Sequence, residues 1–259
     1  QDHRFDVTLL ISGIPVIHLE LKREGVSIEQ AYWQIRDYMG NGDFGGFYSL
    51  VQIFGILNGS ESRYFARPTD YRSFNYTFCF GWADEKTNQP IQESSQFIKH
   101  ALRVPMGHKL MSLYTIADKP KGILKVLRSY QIYAVENILE RLANRTRFDG
   151  SLEDRLGGFI WHTTGSGKTM TSFKVAQLAC ELKNVDKVIF LADRNELVKQ
   201  TFNEYSGFVD DEDDVTATKS SNKLLAAILN PNQRLIVTSI QKMDNVAKLG
   251  EQKKLNNTH

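Results

Sequence analysis

The segment His162–Thr169 has the residue types of a phosphate-binding loop. It reads H-T-T-G-S-G-K-T, follows the apolar stretch Gly157–Trp161 and precedes a run of helix-forming residues. Backbone N–H groups in such a loop and at a helix N-terminus point toward one place, where they can bind an anion. The pattern therefore predicts a strand, a loop and a helix that together bind the phosphates of a nucleoside triphosphate.

Individual residues of this loop have distinct expected roles. Lys168 would place its ammonium beside the β- and γ-phosphates, and the Thr169 hydroxyl would bind Mg²⁺. The backbone donors around the phosphates would come from Thr164, Gly165, Ser166 and Gly167. His162 stands where the usual G-x-x-x-x-G-K-[ST] pattern has its first glycine. The alternative is a glycine-rich turn that caps an ordinary helix.

A second group of chemically active residue types lies near the start of the sequence. Glu20 and Lys22 are two residues apart in an apolar run, so in a strand both side chains project from one face, about 7 Å apart. Asp6 begins the preceding apolar run and can face the same space. Two carboxylates can hold Mg²⁺, and the Lys22 ammonium could position an attacking water or offset charge on a phosphate oxygen. The alternative is a solvated face of charged side chains.

Gln34 and Tyr38 strengthen the hypothesis of a metal-dependent site. They are four residues apart in a predicted helix, so they lie on one helix face. Together with the two carboxylates and the lysine, they form a pattern that resembles the PD-(D/E)xK nuclease core and its Q-x-x-x-Y helix. His18 shares the face of Glu20, and we interpret it as incidental and not as a metal ligand.

Regular elements must position these residues. In the first part of the chain, apolar alternation, turn residues and a capping box predict a hairpin, a helix and further strands. The predicted strands are Phe5–Ile11, Val16–Lys22, Leu50–Leu57, Arg63–Ala66 and Tyr76–Phe80, and the helices are Ser27–Met39 and Glu93–Leu102.

The second part predicts strands that alternate with helices, and hence a parallel sheet covered on both faces. Its strands are Gly157–Trp161, Lys187–Ala192 and Arg234–Ser239, and its helices are Ser129–Asn144, one that opens at Lys168 and one after Asp193. Lys119–Gly122 is the predicted linker between two domains, 1–118 and 119–259.

Composition restricts the function classes only weakly. The length of 259 residues and the 41% of hydrophobic residues suffice for two cores. The net charge of +2 does not by itself indicate a nucleic-acid partner, so DNA contacts would need local patches. No apolar run of the sequence is long enough to span a membrane. Cys79 and Cys180 fit buried thiols in a reducing compartment, so we expect a cytoplasmic protein.

The two motifs, in this order, resemble one family: the restriction (R) subunits of type I restriction–modification enzymes. The stretches that carry the resemblance cover most of the chain: Phe5–Leu10 with Leu19–Arg23, Phe80–Asp84, Leu127–Ala134, His162–Thr169 and Leu191–Arg194. The implied fold is α/β. A PD-(D/E)xK nuclease-like α+β domain over 1–118 would precede the first RecA-like, parallel-sheet lobe of a superfamily two helicase motor over 119–259.

The resemblance also implies roles for the nuclease residues. Asp6 and Glu20 would be metal ligands, Lys22 the catalytic lysine, and Gln34 and Tyr38 the supporting helix pair. The implied activity is ATP-dependent translocation along double-stranded DNA, coupled to Mg²⁺-dependent endonucleolytic cleavage of unmodified DNA. ATP and Mg²⁺ are the implied cofactors, and the modification and specificity subunits are the implied partners.

Roles in the motor lobe follow from the same resemblance. Gln131 is similar to the glutamine with which helicase-like proteins read adenine, unless it is an ordinary exposed helix residue. Arg194, Thr238 and Ser239 stand where such proteins contact DNA, unless they are a helix cap and a strand end.

ATP hydrolysis by such a motor also requires an acidic pair after an apolar strand and a second lobe that supplies an arginine. No Asp-Glu pair directly follows a predicted strand beyond Thr169. We therefore expect a fragment that does not turn over ATP by itself.

Two other functions stay open. One is an ATP-dependent helicase or remodeller whose nuclease-like domain binds DNA without cutting it, and metal-dependent nicking would distinguish the two. The other is a small-molecule kinase or NTPase with an accessory domain, which would not respond to DNA.

Overall fold

The computed structural model describes residues 4–143, 157–209, 211, 214–218 and 220–256. It is a mixed α/β structure that divides into two compact units, 1–133 and 134–259. In the described part of the chain, no helix is both long enough and apolar enough to cross a membrane.

The first unit is built on a four-stranded mixed sheet. Its elements are β1 Val7–Ile11, β2 Ile14–Leu21, α1 Ile28–Asn41, β3 Ile53–Leu57, β4 Ser62–Ala66, β5 Trp82–Ala83, β6 Pro90–Ile91, α2 Ser94–Phe97 with a π-helical continuation over Ile98–Leu102, α3 Met106–Ser112, β7 Thr115–Asp118, β8 Ile123–Val126 and the start of α4 Ser129–Ala143. The sheet order is β1-β2-β3-β4, which places β2 and β3 in the centre.

The predicted hairpin at the start of the chain is confirmed. β1 pairs antiparallel with β2, with Val7 opposite Leu19 and Thr8 opposite His18. Ser12 and Gly13 both have positive φ, 49° and 83°, as the tight turns that suit twisted strands require. β2 then runs parallel to β3, and α1 provides the crossover that parallel neighbours need.

Helix α1 lies where the capping residues predicted it. The Ser27 hydroxyl accepts from the Glu29 amide, and Gly42 ends the helix in the left-handed conformation at φ 87°. Its buried face consists of Ile28, Ala31, Tyr32, Ile35 and Tyr38, which join a core with apolar residues of β3 and β4. This packing fixes the face of α1 that Gln34 and Tyr38 present.

Two predictions for the first unit are wrong. Tyr76–Phe78 is a 3₁₀ turn and not a strand, because the Asn75 side chain accepts from Thr77 N and caps it; Phe80 makes only an isolated bridge to Tyr64. Lys119–Gly122 is not a linker. It forms the turn between the antiparallel strands β7 and β8, and Gly122 has the positive φ of 63° that this turn requires.

The second unit contains a three-stranded parallel sheet. Its remaining elements are α5 Lys168–Ala179, β9 Val188–Ala192, α6 Asn195–Ser206, β10 Val215–Ala217, α7 Ser221–Leu229, β11 Leu235–Ser239 and α8 Ile240–Asn256. The order is β10-β11-β9, with both pairs parallel. The predicted alternation of parallel strands and helices is therefore confirmed.

The strand predicted before the phosphate-binding loop is not present. Residues 157–163 have no regular secondary structure, and Phe159 and Trp161 are each 88% exposed. Among the described strands, β9 pairs only with β11, and its other edge is not bonded to this segment. An apolar run becomes a strand only where a neighbour accepts its hydrogen bonds and packs its side chains, and here none does.

Candidate functional site

The first candidate site is built on the end of β2 and the adjoining start of β1. Because β1 and β2 are antiparallel with Val7 opposite Leu19, Asp6 lies beside the end of β2. Its Oδ2 accepts a hydrogen bond of 2.8 Å from Leu21 N. Glu20, which directly precedes Leu21, is only 1% exposed. Two carboxylates are thus brought to one end of the hairpin.

A chain of polar contacts connects β2 to α1. Lys22 Nζ lies 3.2 Å from Glu20 Oε1 and also donates to Gln34 Oε1. The Gln34 side-chain amide in turn donates to the Tyr38 hydroxyl. The lysine ammonium is therefore held between one carboxylate oxygen and one amide oxygen, and the helix pair orients it.

Tyr38 is electrostatically part of the same cluster. Burial raises the pKa of its hydroxyl, and the negative charges of Glu20 and Asp6 raise that pKa further, against the opposing hydrogen bond with Gln34. The hydroxyl is consequently neutral at physiological pH, and it lies 3.5 Å from the Arg4 carbonyl oxygen, to which it donates. The structure thus brings Asp6, Glu20, Lys22, Gln34 and Tyr38 together, and their chemical roles stay predictions.

His18 is a residue that sequence reasoning set aside. It is fully buried beside Glu20, with Nε2 3.5 Å from Glu20 Oε2. Its Nδ1 lies 3.1 Å from the Thr8 hydroxyl, directly across the hairpin. The signal was present in the sequence, because strand alternation places residues 18, 20 and 22 on one face.

The donor set of this site fits Mg²⁺ bound in part by protein and in part by water or substrate. Among the described residues, no group of three or more His, Cys, Asp or Glu side chains is placed to hold a metal. Mg²⁺ in phosphate chemistry, however, is commonly bound by only one or two carboxylates. Glu20 Oε2 is buried without a hydrogen-bond partner in the described structure. A cation or a buried N–H donor could satisfy such an acceptor.

The second candidate site is the loop before α5. Gly165 and Gly167 have φ values of 78° and 79°, which residues with a side chain rarely adopt. Ser166 Oγ and Lys168 Nζ both donate to the Thr163 carbonyl, at 2.8 and 2.9 Å. Side chains of the loop are therefore hydrogen-bonded to the loop's own backbone. A bound phosphate would compete with that carbonyl for the Lys168 ammonium.

The surroundings of this loop are partly apolar. Thr164 and Gly165 are exposed, whereas Ser166, Gly167 and Thr169 are half-buried. Burial, with the nearby Lys168 charge, lowers the pKa of His162, so the position that replaces the usual glycine carries a neutral imidazole at physiological pH. An open groove of about 610 Å³ runs from Lys168 and Thr169 along α5 to β9.

Of the four other residues predicted to bind adenine or DNA, three are buried. Gln131 is 3% exposed, which excludes the ordinary exposed helix residue, and its Oε1 accepts from Arg128 N at the start of α4. Arg194 has a side chain that is 76% exposed, with its Nε 3.6 Å from Asp193 Oδ2. Thr238 and Ser239 are buried. The Thr238 hydroxyl bonds that of Thr218 at 2.9 Å, so the structure does not present these two side chains to DNA.

Comparison with known families identifies both parts of the chain. Residues 1–73 match the family model of the type I restriction enzyme R protein N terminus. Residues 130–259 match that of the SWI2/SNF2 ATPase. Each candidate site lies inside one of the two matched regions.

The curated relatives are endonuclease subunits of type I restriction enzymes. An endonuclease subunit of Staphylococcus aureus strain COL, type I restriction enzyme SauCOLORF180P, is 36% identical over 240 residues, which is 93% of this chain and 24% of that protein. A Mycoplasma pneumoniae protein, described as the C-terminal part of the putative type I restriction endonuclease MpnIIP, is 39% identical over 165 residues, 62% of this chain and 78% of that protein. The EcoprrI endonuclease subunit of Escherichia coli is 33% identical over 146 residues, 54% of this chain and 45% of that protein.

The chain spans about a quarter of the length of the staphylococcal relatives that it matches. The matches nevertheless agree along nearly the whole chain, across both units. This chain therefore belongs to the endonuclease subunits of type I restriction enzymes, with a SWI2/SNF2-type ATPase region in its second part.

Proposed function

We propose that the chain combines the nuclease domain and the first motor lobe of a type I restriction endonuclease. The nuclease, with a PD-(D/E)xK-like arrangement, would lie in the first unit, and a RecA-like lobe of the superfamily two type would lie in the second. The full protein would pump double-stranded DNA with ATP and cut it when the recognition site is unmodified. It would act in the cytoplasm with modification and specificity subunits.

The observation that carries the nuclease proposal is the cluster of Asp6, Glu20 and Lys22 on one hairpin end. Asp6 and Glu20 would hold Mg²⁺, which would polarise the scissile phosphate and lower the pKa of a bound water. Lys22 lies within hydrogen-bonding distance of Glu20 Oε1. Its ammonium would therefore sit next to the substrate phosphate and offset the charge that develops on it.

The helix pair gives this lysine a defined position. Gln34 accepts from Lys22 and donates to Tyr38, so the ammonium does not depend on the carboxylate alone. In the motor lobe, Thr164–Gly167 would supply backbone donors to the ATP phosphates. Lys168 would exchange the Thr163 carbonyl for the β- and γ-phosphates, and Thr169 would bind the nucleotide Mg²⁺.

A pair of variants tests the assignment in the full-length protein, assembled with its modification and specificity subunits. Glu20→Gln keeps the shape of the side chain but removes its charge. It should lower cleavage of an unmethylated plasmid by at least about 100-fold, as loss of a metal ligand and charge stabiliser typically does. DNA-stimulated ATP hydrolysis should be unchanged. The matched control is Glu24→Gln, at an exposed position four residues later.

Lys168→Ala should give the complementary result. ATP hydrolysis and translocation should be lost because the phosphates lose their lysine, and cleavage that depends on translocation should be lost with them. Lys183→Ala, at an exposed position beyond α5, is the control. Undiminished cleavage by Glu20→Gln would refute the nuclease site, and translocation by Lys168→Ala would refute the ATP site.

A further inference from the structure

We propose that His18 is a positioning residue for Glu20: its Nε2–H holds Glu20 Oε2 and thereby sets the orientation of the carboxylate toward the metal. This inference rests on the proposed nuclease function and adds a residue to that site. His18 itself would not contact Mg²⁺ or DNA.

The first support is that two buried atoms without a hydrogen-bond partner in the described part of the chain, His18 Nε2 and Glu20 Oε2, face each other. His18 and Glu20 are 0% and 1% exposed, and His18 Nε2 lies 3.5 Å from Glu20 Oε2. Within the described structure, neither of these two atoms has a conventional hydrogen-bond partner. Burying an unpaired donor or acceptor costs free energy because the atom loses its hydration. This penalty is smaller when a buried donor and a buried acceptor face each other. At 3.5 Å the two atoms are farther apart than in a normal hydrogen bond, so the proposal requires them to approach more closely with a favourable angle.

The second support is the contact on the far side of the imidazole. Thr8 lies opposite His18 in the β1–β2 register, and its hydroxyl is 3.1 Å from Nδ1. A hydroxyl can donate to an unprotonated Nδ1, which leaves the proton of the neutral ring on Nε2. This is the tautomer that offers a donor to Glu20. The second contact of a histidine commonly selects its tautomer in this way.

The third support is that the ring cannot turn away easily. Three aromatic rings surround it, with centroids 4.9 Å away for Phe5, 5.1 Å for Phe44 and 6.1 Å for Phe54. Packing of this kind fixes the plane of the imidazole, and hence the direction of its N–H. His18 therefore provides a fixed donor and not a mobile one.

Each oxygen of the Glu20 carboxylate has one contact. Oε1 accepts from Lys22, and Oε2 faces His18. A carboxylate has about four lone-pair directions, so both contacts leave directions for a metal ion. Partners behind a metal ligand raise metal affinity or activity by about 10–100-fold in known sites. We expect an effect in this range here.

The test compares two substitutions in the full-length, assembled enzyme. His18→Leu has similar bulk but no donor, whereas His18→Gln keeps a side-chain N–H of similar reach. His18→Leu should raise the Mg²⁺ concentration for half-maximal plasmid cleavage about 10–100-fold. His18→Gln should stay near the wild-type value. ATP hydrolysis by the same preparations should not change, and their circular dichroism spectra and melting temperatures serve as the check on folding.

A direct metal-binding measurement accompanies the cleavage assay. Mn²⁺ binding to nucleotide-free enzyme, followed by the electron paramagnetic resonance signal of free Mn²⁺, should weaken by the same factor in His18→Leu. Phe65→Leu is the packing control: it shortens a buried aromatic side chain of the same core without removing a polar atom, so it should lower thermal stability and leave metal affinity unchanged.

The outcomes separate this inference from the proposed function. Unchanged metal affinity in His18→Leu, or equal losses in the leucine and glutamine variants, would overturn the role of His18. If His18→Leu does not fold, Thr8→Val removes only the tautomer-setting hydroxyl and should still weaken Mn²⁺ binding; no weakening would overturn the inference. Full cleavage by Glu20→Gln would instead overturn the nuclease assignment.

Discussion

Gln34→Leu offers a sharp test of how the nuclease site is organised, because this residue would touch neither metal nor DNA in the proposed site. Gln34 accepts a hydrogen bond from Lys22 and donates one to Tyr38. Leucine preserves helix propensity and much of the side-chain volume. The change therefore removes one of the two acceptors that hold the Lys22 ammonium and leaves α1 intact.

The magnitude follows from the environment of Lys22. Its side chain is 17% exposed, so water can replace the lost acceptor only in part. A hydrogen bond to a charged group contributes about 1.5–3 kcal/mol, and about 1.4 kcal/mol corresponds to a factor of ten in rate. Since Glu20 still holds the ammonium, we expect the single-turnover rate of plasmid cleavage to fall roughly 10–100-fold. DNA-stimulated ATP hydrolysis should stay constant.

Two comparisons make the result interpretable. Gln30→Leu is the same substitution one helical turn earlier, at an exposed position, and should not affect cleavage. In a Lys22→Met background, Gln34→Leu should cause little further loss, because the two residues act through one contact. A normal cleavage rate in Gln34→Leu, or an equal loss in Gln30→Leu, would refute the idea that the amide positions the lysine.

Three further predictions concern the second unit. Burial lowers the pKa of Lys174 to about 8, so the folded state binds its proton less tightly than the unfolded state does. Relative to wild type, Lys174→Met should therefore raise the free energy of unfolding by up to about 3 kcal/mol. This gain should be complete below pH 8 and lost as the pH rises toward about 10.5, as urea titrations at several pH values will show; a gain that does not change with pH would contradict the buried charge. Trp161→Ser should lower the free energy of unfolding by less than about 0.5 kcal/mol, whereas Phe173→Ala, at a fully buried position, should lower it by about 3–5 kcal/mol. Calorimetric melting distinguishes the two variants. A large loss for Trp161→Ser would mean that its segment is packed in solution. Gly167→Val should weaken nucleotide binding in equilibrium titrations with labelled ATP, because a β-branched residue at φ 79° is strained; unchanged affinity would contradict the loop conformation.

Much of the first unit could be predicted because its signals are local. Strand alternation identified β1 and β2, and a capping serine identified the start of α1. Once those elements pair as the hairpin turn dictates, Asp6, Glu20 and Lys22 must converge. The convergence of these three residues therefore required no knowledge of distant contacts, whereas the approach of Gln34 and Tyr38 depends on the packing of α1 against β3 and β4.

The errors arose where an element depends on a partner elsewhere in the chain. Gly157–Trp161 has strand composition, yet no described strand pairs with it. Lys119–Gly122 has linker composition, but Gly122 turns the chain back so that β8 can pair with β7. Strand alternation places His18 on the face of Glu20, but the atoms that lie next to its two nitrogens depend on packing and could not be predicted.

The segment that precedes the phosphate-binding loop has a thermodynamic consequence. On one side the loop is anchored by α5, but on the other it is continued by residues 157–163, which belong to no strand. Fixing one residue's backbone costs about 1–2 kcal/mol, so a ligand that must order this stretch gives up part of its binding energy. A polypeptide segment that pairs with this stretch, and with the edge of β9 that no described strand occupies, would remove that cost before the ligand binds. It would tighten nucleotide binding without touching a phosphate, so the affinity of the loop would report on whether its sheet is complete.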